Sequence, residues 1–362
     1  MSDGRIPVTL LTGFLGAGKT TLLNALLSSS DAGKIAVVVN EFGEAGLDHD
    51  LIEMSSDDIV LMQSGCLCCS VRGDLSGAIR KLIFRRDDGE FDFDRIVIET
   101  TGLADPGPIL QTLLVDRYLA TTTRMDGVVT LVDAVNGATT LDKQFEAVSQ
   151  VAMADMIVLS KTDLADPEAV VRLEERLRVL NTNAQVRHAV KGTGVQNALF
   201  GLFGLRPGVT SVQALDWVGS PTKSADPFAN LSGLAAPKAP QAVQSPHDDK
   251  IATASIVIDD PLPDDVFDDW LNTLVQLQGP NLLRVKGIVF LEGMDFPFVF
   301  HGVQQIFDPP VPLRDWPAHT RRSRIVVIAR DIPEPVLQRM LNTLRDRLDQ
   351  HRRPERAEAT QP

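Results

Sequence analysis

The sequence predicts an α/β fold, a mainly parallel sheet flanked by helices with a smaller α+β unit after it, and three observations carry that expectation. Short β-branched runs recur with helical stretches between them, at Val8 to Leu11, Ile35 to Val39, Ile59 to Met62, Ile96 to Ile98, Val128 to Val132 and Ile157 to Leu159. Such alternation builds parallel strands joined by crossover helices. The runs are almost continuously apolar, as in strands covered on both faces, where a half-exposed sheet would alternate. At 362 residues the chain exceeds what one core comfortably organises, which points to two units.

The first unit is expected to span residues 1–212. Asp166 and Pro167 stand before Val170, Leu173, Leu177 and Leu180, a capped amphipathic helix. Residues 213–250 turn rich in Pro, Ser, Ala and Asp without apolar periodicity, the composition of a flexible linker. A second set of strands follows at Thr253 to Ile258, Leu282 to Leu291, Pro297 to His301 and Arg324 to Ala329, and defines a unit over 251–350. Its last helix has Pro333 and Pro335 near its start and Leu337, Met340, Leu341, Leu344 and Leu348 on one face, and residues 351–362 read as a polar tail.

Composition excludes several classes. Hydrophobic residues at 44% and charged residues at 23% belong to an ordinary globular chain. Apolar runs of roughly six to eight residues fall short of the roughly twenty needed to cross a bilayer, so no membrane partner is expected. The net charge of -13 argues against nucleic-acid binding, which needs clustered cations. Arg321, Arg322 and Arg324, with Arg352 and Arg353, read instead as solvated surface. All three cysteines lie between positions 66 and 69, which leaves none to staple distant segments and suits the reducing cytoplasm.

The chemistry begins at Gly13-Phe14-Leu15-Gly16-Ala17-Gly18-Lys19-Thr20, a phosphate-binding P-loop pattern with a strand before it and the helix former Thr21 to Leu27 after it. Glycines let such a loop bend and bring backbone N–H groups to phosphate oxygens, and the following helix N-terminus adds partial positive charge. Gly13, Gly16, Ala17, Gly18, Lys19, Thr20 and Thr21 are therefore candidate nucleotide contacts, with Lys19 on the β- and γ-phosphates and Thr20 on magnesium. A P-loop NTPase domain is the expected first unit. Ile96 to Ile98 runs into Glu99-Thr100-Thr101-Gly102, at a strand's carboxyl end where open α/β sheets bind ligands. Glu99 is a candidate for acting through magnesium waters, and Gly102 N–H for sensing the γ-phosphate.

Ser160-Lys161-Thr162-Asp163 is close to the Asn-Lys-x-Asp box that reads guanine, with Ser160 in place of the usual Asn. A carboxylate at Asp163 accepts from guanine N1–H and the 2-amino group, a donor pair adenine lacks, so GTP is favoured over ATP. Lys161 would lay its aliphatic stem along the base. Cys66, Cys68 and Cys69 follow a predicted strand and precede the helical pattern Leu75, Ile79, Leu82, Ile83. Soft thiolates near a helix start suit zinc, with copper(I) as competitor, and Glu41 or Glu44 is the candidate fourth ligand. A redox pair and reduced core thiols are the other readings of this cluster. Glu41 and Glu99 are the candidates for orienting the attacking water.

Together these residues resemble the CobW-type GTPases, metal chaperones related to HypB and UreG. The resemblance runs through Gly13 to Thr20, Asn40 to Gly43, Gly65 to Cys69, Glu99 to Pro106, Ser160 to Asp163 and Leu282 to Gly287. It implies a slow GTPase whose Cys66, Cys68 and Cys69, with Glu44 as a further ligand, bind zinc or another divalent metal, and whose nucleotide state controls transfer to a client metalloprotein. The His-rich segment found between the domains of many relatives is reduced here to His247. Related GTPases often dimerise across the nucleotide face, which leaves a homodimer open. Two other functions share the same loop: a P-loop ATPase or small-molecule kinase, and a metal-buffering or thiol-sensing protein without turnover.

Overall fold

β1 (Ile6–Gly13) runs buried through the centre of the molecule and delivers its last glycine to the phosphate loop, with α1 (Lys19–Leu27) beginning directly after it. The structure, a computed structural model, describes residues 4–29, 33–40, 59–64, 71–202, 210–219, 250–317 and 321–358. Then come β2 (Ile35–Asn40), β3 (Ile59–Ser64), α2 (Val71–Asp87), β4 (Arg95–Thr100), α3 (Pro106–Val115) and α4 (Arg117–Thr122). β5 (Thr123–Asp133), α5 (Gly137–Lys143), α6 (Phe145–Ala152), β6 (Met156–Ser160), α7 (Pro167–Leu180) and β7 (Gln185–Ala189) complete the first unit. Among the described residues the sheet has seven strands in the order β3-β2-β4-β1-β5-β6-β7, every pair parallel. The expected α/β architecture is observed, and all six expected strands lie within it. β7 escaped the sequence reading because it is an edge strand whose Gln185, Arg187 and His188 are exposed, so no apolar run marks it.

Local chemistry explains the element boundaries. Asp166 accepts a hydrogen bond from Ala169 N at 3.0 Å with Pro167 at the first helical position, the expected start of α7. Asp105 caps α3 in the same way through Gly107 N.

The C-terminal part contains α8 (Ser211–Val218), β8 (Ile251–Ile258), α9 (Asp264–Gln278), β9 (Leu282–Val289), β10 (Phe298–Val303), β11 (Ile306–Phe307), β12 (Val311–Pro312), β13 (Ser323–Arg330) and α10 (Glu334–Glu358). Its sheet is antiparallel, in the order β11-β10-β9-β13-β8 with β12 beside β10. Both faces are covered. On β13, Ile325, Val327 and Ala329 pack with Trp270 of α9 and Leu337, Leu341 and Leu344 of α10, while Val326 and Ile328 join a core shared with Val8, Leu10, Ile96 and Leu113 of the first unit.

Two expected boundaries differ. α8 occupies the start of the segment read as linker, because Thr210 forms a capping box with Gln213 and Ala214, Trp217 and Val218 are buried. α10 continues to Glu358, through most of the expected polar tail, and Arg352 ties it to Asp260 at 2.7 Å and to Pro261 O at 2.9 Å. No helix among the described residues is long and apolar enough to cross a membrane.

The junction between the two sheets holds a buried charge cluster. Asp155, 4% exposed, accepts from Arg284 at 2.6 and 2.7 Å, from Lys286 at 2.9 Å, from Trp217 Nε1 at 3.1 Å and from Val128 N at 3.0 Å. Burial raises the carboxyl's pKa, but the Arg284 and Lys286 charges outweigh it and hold Asp155 well below the usual range. Lys286 is lowered to about 8 by burial and by Arg284, with Asp155 opposing.

Candidate functional site

The phosphate loop joins β1 to α1 through three glycines with positive φ, Gly13, Gly16 and Gly18, and at Gly13 a neighbouring strand also crowds the backbone. Gly13 has φ 139, and a Cβ there would meet Leu131 O at 2.4 Å. Gly18 has φ 93 and starts α1 from a left-handed conformation that a side chain disfavours. Ala17 is buried beneath the loop and Thr21 is exposed. Lys19 Nζ donates to Gly13 O at 2.8 Å and to Phe14 O at 3.3 Å, so its ammonium lies inside the loop's own curve.

Glu99, one residue before the end of β4 and beside β1, is buried and accepts from Thr20 Oγ1 at 3.1 Å. Thr100 Oγ1 donates to Thr12 Oγ1 at 2.8 Å, which ties the two strand ends together. Gly102 is pressed against the loop: a Cβ on it would come within 2.3 Å of Leu15 N and 2.7 Å of Leu15 Cα. Lys19, Thr20, Glu99 and Gly102, chosen from separate motifs, therefore meet at one place. Thr20 and Glu99 are hard oxygen donors next to a phosphate cradle, a set that fits magnesium.

The Ser160 to Asp163 segment closes on the same loop. Ser160 Oγ donates to Ala17 O at 2.7 Å, so the serine is committed to holding the phosphate loop. Lys161, at φ 57, places Nζ 2.8 Å from Gly16 O and 2.7 Å from Asp133 Oδ2. Leu164 N donates to Lys161 O at 3.0 Å and closes the turn that presents Asp163 to solvent.

Asp133 was not among the residues the sequence singled out. It ends β5, accepts from Val135 N at 2.8 Å and Asn136 Nδ2 at 3.1 Å, and orients Lys161. Burial raises its pKa, while the bonds from Lys161 and Asn136 prevail and keep it ionised below the usual range. An acid at a strand's carboxyl end was the available signal, the same one that marked Glu99. A second unanticipated residue is Gln150 of α6, fully buried, whose Nε2 donates to Gly102 O at 3.1 Å and Ala104 O at 3.0 Å. It lines a 220 Å³ cavity adjoining the loop with Phe14, Gly16, Asp133 and Lys161. A larger cavity of 330 Å³, between α3, α4 and the β10 to β12 ribbon, contains no residue of the phosphate loop.

Residues 7–188 match the nucleotide-binding domain described as CobW/HypB/UreG, just over half of the chain. The chain belongs to the CobW/HypB/UreG family. Residues 251–345 match the C-terminal domain described for the cobalamin synthesis protein CobW. Among relatives in this family, the zinc chaperone YjiA of Escherichia coli (strain K12) is 35% identical over 344 residues, which covers 94% of this chain and 99% of that protein. The zinc chaperone CobW of Pseudomonas aeruginosa is 28% identical over 375 residues, covering 94% and 91%. The crystal structure of zinc-bound YjiA GTPase from E. coli overlays with a TM-score of 0.69 at 31% identity, covering 94% of this chain and 99% of that one.

The family resemblance read from the sequence is thus established. Cys66, Cys68, Cys69, Glu41 and Glu44 lie outside the described residues. Among the described residues there is no group of three or more His, Cys, Asp or Glu suited to a metal ion.

Proposed function

We propose that the protein binds and hydrolyses GTP and uses its nucleotide state to control the transfer of zinc, or another divalent metal, to a client metalloprotein. The observation that carries the nucleotide half is the convergence of Lys19, Thr20, Glu99, Gly102 and the Ser160 to Asp163 turn on one loop, through the Ser160–Ala17 and Lys161–Gly16 hydrogen bonds. In this reading residues 1–212 carry the nucleotide chemistry, 251–350 form the CobW-like unit, and Asp163 reads guanine. Lys19 and the loop amides stabilise the charge that develops on the phosphoryl oxygens. Thr20, with Glu99 behind it, would hold magnesium, which would supply positive charge to the phosphates.

The metal half rests on the thiols of Cys66, Cys68 and Cys69, with Glu44 as a further ligand and Glu41 beside it in the segment following β2. Relatives named as zinc chaperones support it. Exposed Leu15, Leu103 and Leu164, in loops that follow β1, β4 and β6, support docking of a protein partner at the nucleotide face, either the client or a second copy.

The test is zinc titration with and without a non-hydrolysable GTP analogue. Nucleotide-dependent zinc affinity, with the reciprocal effect of zinc on analogue affinity, is expected, because linkage makes the two factors equal. Zinc affinity indifferent to nucleotide would refute the coupling, and equal competition by ATP and GTP would remove the guanine assignment.

A further inference from the structure

The stretch from Gln150 to Asp155, the end of α6 and the turn into β6, is pinned at both ends to different parts of the molecule. At its start the Gln150 side chain donates to the carbonyls of Gly102 and Ala104, and its own main-chain carbonyl accepts from Thr130 Oγ1 of β5 at 2.8 Å. In its middle Asn181 Nδ2 donates to Val151 O at 2.8 Å, Ala152 O at 3.1 Å and Ala154 O at 2.9 Å. At its end Met153 O accepts from Arg284 and the Asp155 carboxylate holds both Arg284 and Lys286 of β9. One rigid stretch therefore touches the loop that abuts the phosphate cradle and the central strand of the C-terminal sheet.

We propose that Gln150 is a positioning residue for the terminal phosphate of GTP, and that the segment it belongs to links the Gly102 loop mechanically to the C-terminal sheet. The proposal rests on the GTPase reading above. Gln150 acts through the loop, because both of its amide N–H groups are used on loop carbonyls. Gly102 has its backbone against Leu15, so a shift of the loop on gain or loss of the γ-phosphate must move Gln150, break its bonds or be resisted by it. Close packing makes such a stretch move as a unit instead of absorbing the displacement. Its far end is fixed in a buried ion cluster, where displacement would separate charges in a low-dielectric interior.

Affinities of Gln150→Met for GDP and for a non-hydrolysable GTP analogue separate positioning from general packing. Methionine keeps the volume and removes both donors. The analogue should lose about tenfold relative to GDP, the scale of one or two buried hydrogen bonds. Equal loss for both nucleotides, or no loss, overturns the positioning role. In a double-mutant cycle with Lys286→Met, the analogue-to-GDP affinity ratio should be non-additive, and additivity overturns the link to β9. Hydrogen exchange on the unaltered protein gives a measurement independent of whether the variants fold. Residues 150–155 and β9 should differ in protection between the analogue-bound and GDP-bound states, and identical protection overturns the link. If the unaltered protein bound neither nucleotide, the GTPase reading itself would fail; binding of both with no response to Gln150→Met would sink only the present proposal.

Discussion

Two substitutions in the cluster between the sheets should have opposite consequences, although each removes one charge from the same group. Asp155→Asn takes away the carboxylate that Arg284 and Lys286 share and leaves two cations facing one another in a site where all three side chains are 2 to 3% exposed. Breaking a buried ion pair from one side costs about 3 to 5 kcal/mol. Lys286→Met leaves the Arg284–Asp155 pair intact, with Arg284 Nη2 donating to the carboxylate. Lys286 is held at about 8, below its ordinary 10.5. By the usual conversion, keeping it protonated at neutral pH costs about 3 kcal/mol relative to a solvated lysine. Methionine avoids that cost and gives up the bond to Trp217 O at 3.2 Å and the ammonium's approach to the Trp217 ring at 4.7 Å. The expected balance is between no change and a gain of about 2 kcal/mol.

Urea unfolding at pH 7 would show the midpoint falling for Asp155→Asn and holding or rising for Lys286→Met. The sign with pH is also defined. Because the folded pKa of Lys286 lies below the unfolded one, the unfolded chain binds more protons between about pH 8 and 10.5, and stability should rise with pH across that window. The slope should disappear in Lys286→Met. Equal destabilisation by both substitutions would refute the view that lysine is the strained member of the cluster.

Gly102→Ala should push a methyl into the backbone of Leu15, destabilising the fold by about 1 to 3 kcal/mol and weakening nucleotide binding in calorimetry; wild-type values for both would disprove the contact. His301 is lowered to about 4 by burial, with its hydrogen bond to Asp308 opposing. The unfolded chain therefore takes up a proton first as pH falls from 6.5, and up to about 3 kcal/mol of stability should be lost on the way to pH 4. His301→Gln should flatten that part of the thermal stability profile, and an unchanged slope would place the acid sensitivity elsewhere. Lys19→Ala should abolish nucleotide binding in calorimetry, and retained affinity would remove the P-loop assignment.

Most of the residues that converge on the P-loop could be read from the chain because they are contiguous or stand at strand ends, where a local pattern has a fixed meaning. The P-loop, Glu99, Gly102 and the Ser160 to Asp163 turn are of this kind. Gln150 was not legible: on the sequence it is one amide among the buried residues of α6, and only the return of Gly102 and Ala104 beside it gives it a role. Asp133 required the same logic applied to one more strand end. The strands of the C-terminal sheet were visible from their β-branched runs, whereas α8 was hidden by the Pro- and Ser-rich stretch that follows it. The pairing of Asp155 with Arg284 and Lys286 joins positions about 130 residues apart, and no spacing rule links them.

The two-sided cover of the antiparallel sheet bears on any attempt to divide this polypeptide. An excised fragment starting near Lys250 would keep α9 and α10 but lay bare Leu283, Ile288, Phe290, Val299, Val326 and Ile328, an oily plane with Arg284 and Lys286 stranded in the middle of it. Shortening the chain at that boundary therefore yields a sticky half whose missing partner is the nucleotide-binding half itself.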